Sequence, residues 1–126
     1  MPKTPRWERV PDDDDFAAAA RYLSLLMPPA QAAKLAGSLK GKALVQHRAN
    51  DLLRASGLVL LSTADPEVAK NLKKVKQGKR LSPILLIRGE LGDAALTVAD
   101  GYHRICASYH LNPDSDIPCC VGDIVV

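Results

Sequence analysis

Residues 96–111 have the sequence LTVADGYHRICASYHL, and the rest of the chain is organised around them. The first four residues are apolar and include two β-branched side chains, which predicts a short buried strand. Asp100-Gly101 is a turn dipeptide, because glycine adopts positive φ without a steric clash. The following apolar residues recur at helical spacing until Asn112-Pro113, where a proline ends the run. The stretch therefore predicts a strand, a tight turn and a helix.

The turn between this strand and this helix is a candidate anion site. A helix start offers unpaired backbone N–H groups and the positive end of the helix dipole. Gly101 lets a ligand approach the backbone, and the side chains of His103 and Arg104 add donors next to Tyr102. We therefore expect a phosphate group to bind at Gly101, Tyr102, His103 and Arg104. The alternative is that Arg104 pairs with Asp100 or with a carboxylate of the N-terminal layer, and that the turn only links the strand to the helix.

A basic segment lies upstream of this turn. Pro66 to Gln77 has the apolar spacing of a helix, with Thr63 or Asp65 as its N-cap. Between residues 70 and 80 the basic side chains are Lys70, Lys73, Lys74, Lys76, Lys79 and Arg80. A solvated helix face is the ordinary explanation of such a run. Lys79, Arg80 and Ser82 lie next to the strand that enters the predicted phosphate site, which makes them further candidate ligand-binding residues.

Three short motifs carry a resemblance to a known superfamily. Asp100-Gly101-Tyr102-His103-Arg104 resembles the Gly-x-His-Arg signature of the ParB/sulfiredoxin superfamily, and Leu81-Ser82-Pro83-Ile84 resembles the strand before it. Ile117-Pro118 resembles the beginning of the last strand there. The resemblance covers residues 57–126 and implies a stand-alone small member with an α+β fold and a small mixed sheet. It also implies that the signature turn holds nucleotide phosphates.

Members of the superfamily include CTP-binding DNA clamps, sulfinic-acid reductases and a small-molecule kinase. The reductases carry a nucleophilic cysteine just before the His-Arg pair, where this chain has Tyr102, and a phenol cannot do thiol chemistry at neutral pH. The clamps resemble larger proteins with a helix-turn-helix after the nucleotide domain, whereas this chain stops at Val126. We therefore expect neither activity.

The first half of the chain predicts a helical layer, residues 1–56, which packs on the core of residues 57–126 to give one domain. Asp12 to Asp15 precede an alanine-rich helix, and acids in a first turn offset the helix dipole, so capping explains them better than metal binding. A second helix begins at Pro28-Pro29, and a third runs from about Ala43 to Ser56. Leu58 to Leu61 predicts a strand. In the core, residues 84–87 and 95–99 predict a hairpin and residues 117–126 a last strand interrupted at Gly122-Asp123.

Composition limits the class of protein. The hydrophobic fraction of 47% is ordinary for a globular domain, and 4% aromatic residues imply a core of mostly Leu, Val, Ala and Ile. A net charge of +3 does not by itself imply a nucleic-acid partner. No apolar stretch has membrane-spanning length, so we expect no membrane partner. Three cysteines, two of them adjacent, are not a disulfide framework, and we expect a cytoplasmic protein with reduced thiols.

The chemistry at the site stays open at this point. Hydrolysis or transfer of a phosphoryl group needs a carboxylate base and usually Mg²⁺, and the candidates are Asp100, Glu90 and His103. His103, Cys106 and His110 share a helix face, but paired zinc motifs are absent, so we predict no metal site.

Two classes of function remain. The first is a protein that binds ATP, CTP or another phosphate ligand, with or without turnover. The second is a non-enzymatic module that binds nucleic acid or a protein partner through Lys70 to Arg80.

Overall fold

The computed structural model describes residues 4–89 and 95–124 of the chain. These residues form five helices and six strands. The helices are α1 (Asp13–Leu23), α2 (Pro29–Ser38), α3 (Ala49–Ser56), α4 (Pro66–Lys76) and α5 (Tyr102–Leu111). The strands are β1 (Arg6–Trp7), β2 (Val45–Arg48), β3 (Arg80–Leu81), β4 (Ile84–Arg88), β5 (Leu96–Asp100) and β6 (Asp116–Asp123). The fold is α+β, as the sequence predicts.

The main sheet has four strands in the order β2-β6-β4-β5. It is mixed, because β4 is parallel to β6 and antiparallel to β5, while β2 is antiparallel to β6. The predicted hairpin of β4 and β5 is confirmed. A second, two-stranded parallel pair joins β1 to β3, with Trp7 opposite Leu81. This pair fixes the N-terminal arm beside the strand that leads into β4.

The sheet has a hydrophobic core on each face. Along β4, Ile84 and Leu86 pack with α3, α4 and α5, whereas Leu85 and Ile87 pack with α1 and α2. All four side chains are 0–1% exposed, which explains why this strand is apolar without alternation. The adjacent Cys119 and Cys120 of β6 lie in opposite cores, as the two-residue period of a strand requires.

The prediction of a third helix from Ala43 is wrong in its first half. Residues 45–48 form β2, an edge strand in which Val45 pairs with Cys119 and Arg48 with Asp116. The helix begins at Ala49, which is fully buried. Pairing with a distant strand overrides the local helical spacing here. The N-terminal half is therefore not purely helical, because β1 and β2 also belong to it.

Two further strand predictions need correction. Residues 58–61 form no strand; they run beside α5, where the Tyr102 hydroxyl donates to the Val59 carbonyl and His110 Nε2 lies 2.7 Å from the Leu61 oxygen. The last strand, β6, continues through Gly122 without interruption. Most of the predicted hairpin loop, including Glu90, lies outside the described residues. Within the described ranges no helix has the length and apolarity that a bilayer crossing requires.

Candidate functional site

The start of α5 has the geometry that an anion site needs. Gly101 is its N-cap with φ of +115°, and no side chain among the described residues caps the helix. The first turn carries no acidic residue. The backbone N–H groups of Tyr102, His103 and Arg104 precede the first helical bond, which Ile105 donates to the Gly101 carbonyl at 3.0 Å.

Gly101 is also required by packing. A Cβ built on it would lie 2.8 Å from Ile84 Cβ and would overlap Ile84 Cγ2. The glycine therefore allows the turn to sit against β4, a reason that is independent of any ligand.

This turn opens onto a polar cavity of about 330 Å³. Six of the predicted site residues line the cavity: Arg80, Ser82, Asp100, Gly101, His103 and Arg104. Six polar residues that the site prediction omitted line it as well: Glu8, Asp12, Asp15, Glu67, Asn71 and Lys74. The structure thus brings the strand entry, the signature turn and one face of α4 to a common cavity.

Two predicted residues, Tyr102 and Lys79, are not part of this lining. Tyr102 turns its hydroxyl toward the Val59 carbonyl. Lys79 is exposed and does not border the cavity. Glu90, the remaining catalytic candidate, lies outside the described residues.

Arg104 is held by two carboxylates rather than standing free for a ligand. Its side chain is 12% exposed, with Nη2 2.5 Å from Asp100 Oδ2 and Nη1 3.5 Å from Asp15 Oδ2. Nη1 also donates to the Ser82 carbonyl at 2.7 Å. The guanidinium therefore joins β5, the segment before β4, and the N-terminal helix α1.

Asp15 is the site residue that the sequence interpretation assigned only to capping. It does cap, since its Oδ2 accepts the backbone N–H of Asp12 at 3.1 Å. The same oxygen also accepts the Ser82 hydroxyl and faces Arg104. These partners lie 67 and 89 residues away along the chain, so no local pattern distinguishes Asp15 from the other acids of its run.

Asp100 has an unusual environment for a carboxylate. Burial is the main cause that raises its pKa to about 6; Arg104 opposes the shift, and the neighbouring Asp15 carboxylate adds to it. A carboxyl group with this pKa exchanges its proton close to neutral pH, which suits acid–base chemistry.

Asp65 connects the starts of α4 and α5, although it does not itself line the cavity. This residue is the N-cap of α4 and accepts from the backbone N–H groups of Glu67 and Val68 at 3.1 Å. His103 Nε2 lies 3.9 Å from Asp65 Oδ2, so the same carboxylate faces the start of α5. The α4 face that borders the cavity carries Glu67, Asn71 and Lys74.

The basic segment is divided by this arrangement. Lys74 and Arg80 line the cavity, whereas Lys70, Lys73 and Lys76 are exposed on α4. In the part of the chain that the structure describes, no group of three or more His, Cys, Asp or Glu side chains is placed to hold a metal ion. Cys106, one of the three residues considered for zinc, is fully buried in the core.

Comparison of the chain with protein-family models, with curated proteins and with solved structures gives no match. The assignment of a function therefore depends on the cavity and its side chains.

Proposed function

We propose that this protein binds a phosphate-bearing ligand, a nucleotide such as ATP or CTP, in the cavity at the start of α5. One observation carries the proposal. The uncapped start of α5 borders the same cavity as the side chains of Lys74, Arg80 and His103. Helix N-termini and basic side chains are the groups with which proteins hold phosphates. The resemblance of residues 100–104 to the ParB/sulfiredoxin signature supports the same ligand class.

The charges of the cavity favour a nucleotide that arrives with Mg²⁺. Five carboxylates line the cavity, against three Lys and Arg side chains. A bare triphosphate would meet this excess of negative charge, whereas a magnesium complex would be partly neutralised. Mg²⁺ keeps several of its waters and needs only one or two protein carboxylates in addition to the phosphates. A preformed cage of three protein ligands is therefore not required.

For hydrolysis or phosphoryl transfer, Asp100 is our candidate acid–base residue. It borders the cavity, and its pKa of about 6 lets it take up or release a proton close to neutral pH. His103 is the second candidate, since it also borders the cavity.

The test compares two neighbouring lysines of α4. Mg-ATP, Mg-CTP and pyrophosphate are titrated by calorimetry into the wild type, Lys74→Gln and Lys73→Gln. We expect Lys74→Gln to weaken binding about ten-fold or more, the size of one lost charge-assisted contact. Lys73→Gln is the matched control, because Lys73 is exposed outside the cavity. Absence of binding for all three ligands would contradict the proposal.

The second candidate function is a polyanion-binding surface on α4. It is favoured by the exposure of Lys70, Lys73 and Lys76 along one helix. Such a surface predicts binding to duplex DNA that weakens steeply with salt and depends equally on Lys73 and Lys74. The same two variants therefore separate the two functions.

A further inference from the structure

Where α1 meets β5 and α5, two carboxylates face a single guanidinium. Asp15 and Asp100 both face Arg104, and their side chains are 17% and 18% exposed. Because both contact one guanidinium, the two carboxylates lie close together, and Asp15 contributes to the raised pKa of Asp100. Two largely buried carboxylates beside one guanidinium carry a net charge of −1, and desolvated like charges at such short range are costly. One proton between the carboxylates removes this excess.

The hydrogen bonds leave room for such a proton. Asp15 Oδ2 already accepts from the Asp12 backbone, the Ser82 hydroxyl and Arg104. Asp100 Oδ2 accepts from Arg104 at 2.5 Å. Among the described residues, donors engage only Oδ2 of each carboxylate, so each group keeps a second oxygen, Oδ1, that can carry a proton.

We propose that Asp15 is a positioning residue of the phosphate site: together with Asp100 it holds one proton beside Arg104, and the phosphate ligand binds with that proton in place. The inference rests on the proposed function for its ligand, but the two carboxyl groups hold their proton in the free protein as well. It assigns the N-terminal helix a part in the site, because α1 supplies one of the two carboxylates.

The proton matters to an anionic ligand because the pair borders the ligand's cavity. Without the proton, the pair and Arg104 carry −1 and repel a phosphate; with it they are neutral. Burial and the Asp15 carboxylate keep the pKa of Asp100 at about 6, so the proton is mostly absent from the free protein at pH 8. The other charged side chains around the cavity are Glu8 and Asp12 from the N-terminal segment, Arg80 from β3, Glu67 and Lys74 from α4, and His103 from α5. Of these, His103 is the one imidazole, and the test must separate any contribution of it from that of the pair.

The test uses Asp15→Asn, because an asparagine imitates the neutral acid at nearly the same volume. Mg-ATP and pyrophosphate are titrated into the wild type and the variant from pH 5 to pH 8. We expect the wild-type affinity, relative to that of Asp15→Asn, to fall about ten-fold between pH 6 and pH 8, the limit for one coupled proton being ten-fold per pH unit. Proton uptake by the ligand and by groups other than the pair is common to both proteins and cancels in the ratio. Asp14→Asn, an exposed first-turn acid of α1 that does not border the cavity, is the matched control and should follow the wild type.

A second measurement tests the pair without ligand. The carboxyl carbon of Asp100 is followed by NMR against pH; we expect a pKa near 6 in the wild type and a lower one in Asp15→Asn. An Asp100 pKa near 4 in the free wild type would overturn the inference, whatever binds. A pKa near 6 with an affinity ratio independent of pH would overturn the coupling to the ligand. If no phosphate ligand binds at any pH, the proposed function fails together with that coupling, and the NMR result still decides whether the pair holds a proton.

Discussion

At the scale of single residues, Gly101 shows how packing and ligand access coincide in one position. Its φ of +115° lies in the region that other residues rarely adopt, and a Cβ would collide with Ile84. The substitution Gly101→Ala therefore combines backbone strain with overpacking. We expect it to reduce the free energy of unfolding by about 2–4 kcal/mol, measured by urea denaturation.

Gly37 provides the matched control for this substitution. It lies within α2, and a Cβ there would meet no atom within 4 Å. Because alanine is the better helix former, Gly37→Ala should leave the protein unchanged or raise its stability by up to about 1 kcal/mol. Equal effects of the two substitutions would show that the turn tolerates a side chain, and the role assigned to Gly101 would be wrong.

Arg104 marks the limit of what local sequence can predict at this scale. The signature predicts its place at a helix start, and the structure puts it there. The sequence favours a donor for the ligand and leaves open a pairing with Asp100 or with a carboxylate of the N-terminal layer; the described structure shows that pairing, with Asp100 and Asp15. Asp15 comes from a helix 89 residues away, so its contact depends on how α1 packs against the sheet. A sequence pattern of short range contains no information on that packing.

At the scale of elements, the N-cap of α4 stabilises this helix and also contacts the start of α5. Asp65 accepts from the backbone N–H groups of Glu67 and Val68 and faces His103. Asp65→Ala removes both interactions and leaves two helix N–H groups without a protein partner. We expect a loss of about 1–2 kcal/mol in the free energy of unfolding by urea denaturation. Thr63, the other cap that the sequence allows, is exposed and precedes the N-cap, so Thr63→Ala should change stability by less than about 0.5 kcal/mol. A larger loss of stability in Thr63→Ala than in Asp65→Ala would show that Thr63 is the cap.

The elements that the sequence predicted correctly have their signals nearby in the chain. Helix α4 begins at a capping aspartate followed by proline, and α5 follows a turn glycine. The hairpin of β4 and β5 joins two neighbouring apolar runs. The missed strand β2 is defined by its pairing with β6, about 70 residues further along the chain. The extended segment 58–61 has the composition of a strand, but hydrogen bonds to α5 side chains hold it outside the sheet.

At the scale of the whole molecule, the sheet separates two cores that share few side chains. Cys119 lies in the core with α3, α4 and α5, while Cys120 lies in the core with α1 and α2. All three cysteines are free thiols with at most 1% exposure, and burial raises the pKa of Cys119 to about 12. A thiol reagent can therefore reach them only when the structure opens. Each thiol reports the opening of its own core.

Whether α1 and α2 open alone or with the rest of the protein depends on the contacts that cross the edge of the sheet. Asp15 ties α1 to Arg104 and Ser82, and the N-terminal arm ties Trp7 to the other core through β1 and β3. Separation of α1 and α2 from the sheet would expose Phe16, Leu23 and Leu39 and leave Arg104 with one carboxylate fewer. We therefore expect the two cores to open together.

In variants that keep only Cys119 or only Cys120, with alanine at the other two positions, labelling in native buffer should be at least about 10³-fold slower than in denaturant. The rates of the two variants should agree within about ten-fold once each is corrected for its own stability. Labelling of Cys120 about a hundred-fold faster than that of Cys119 would show that α1 and α2 open on their own. The carboxylate pair at Arg104 would then be assembled only part of the time, and phosphate affinity would fall with any substitution that weakens the packing of α1 and α2 on the sheet.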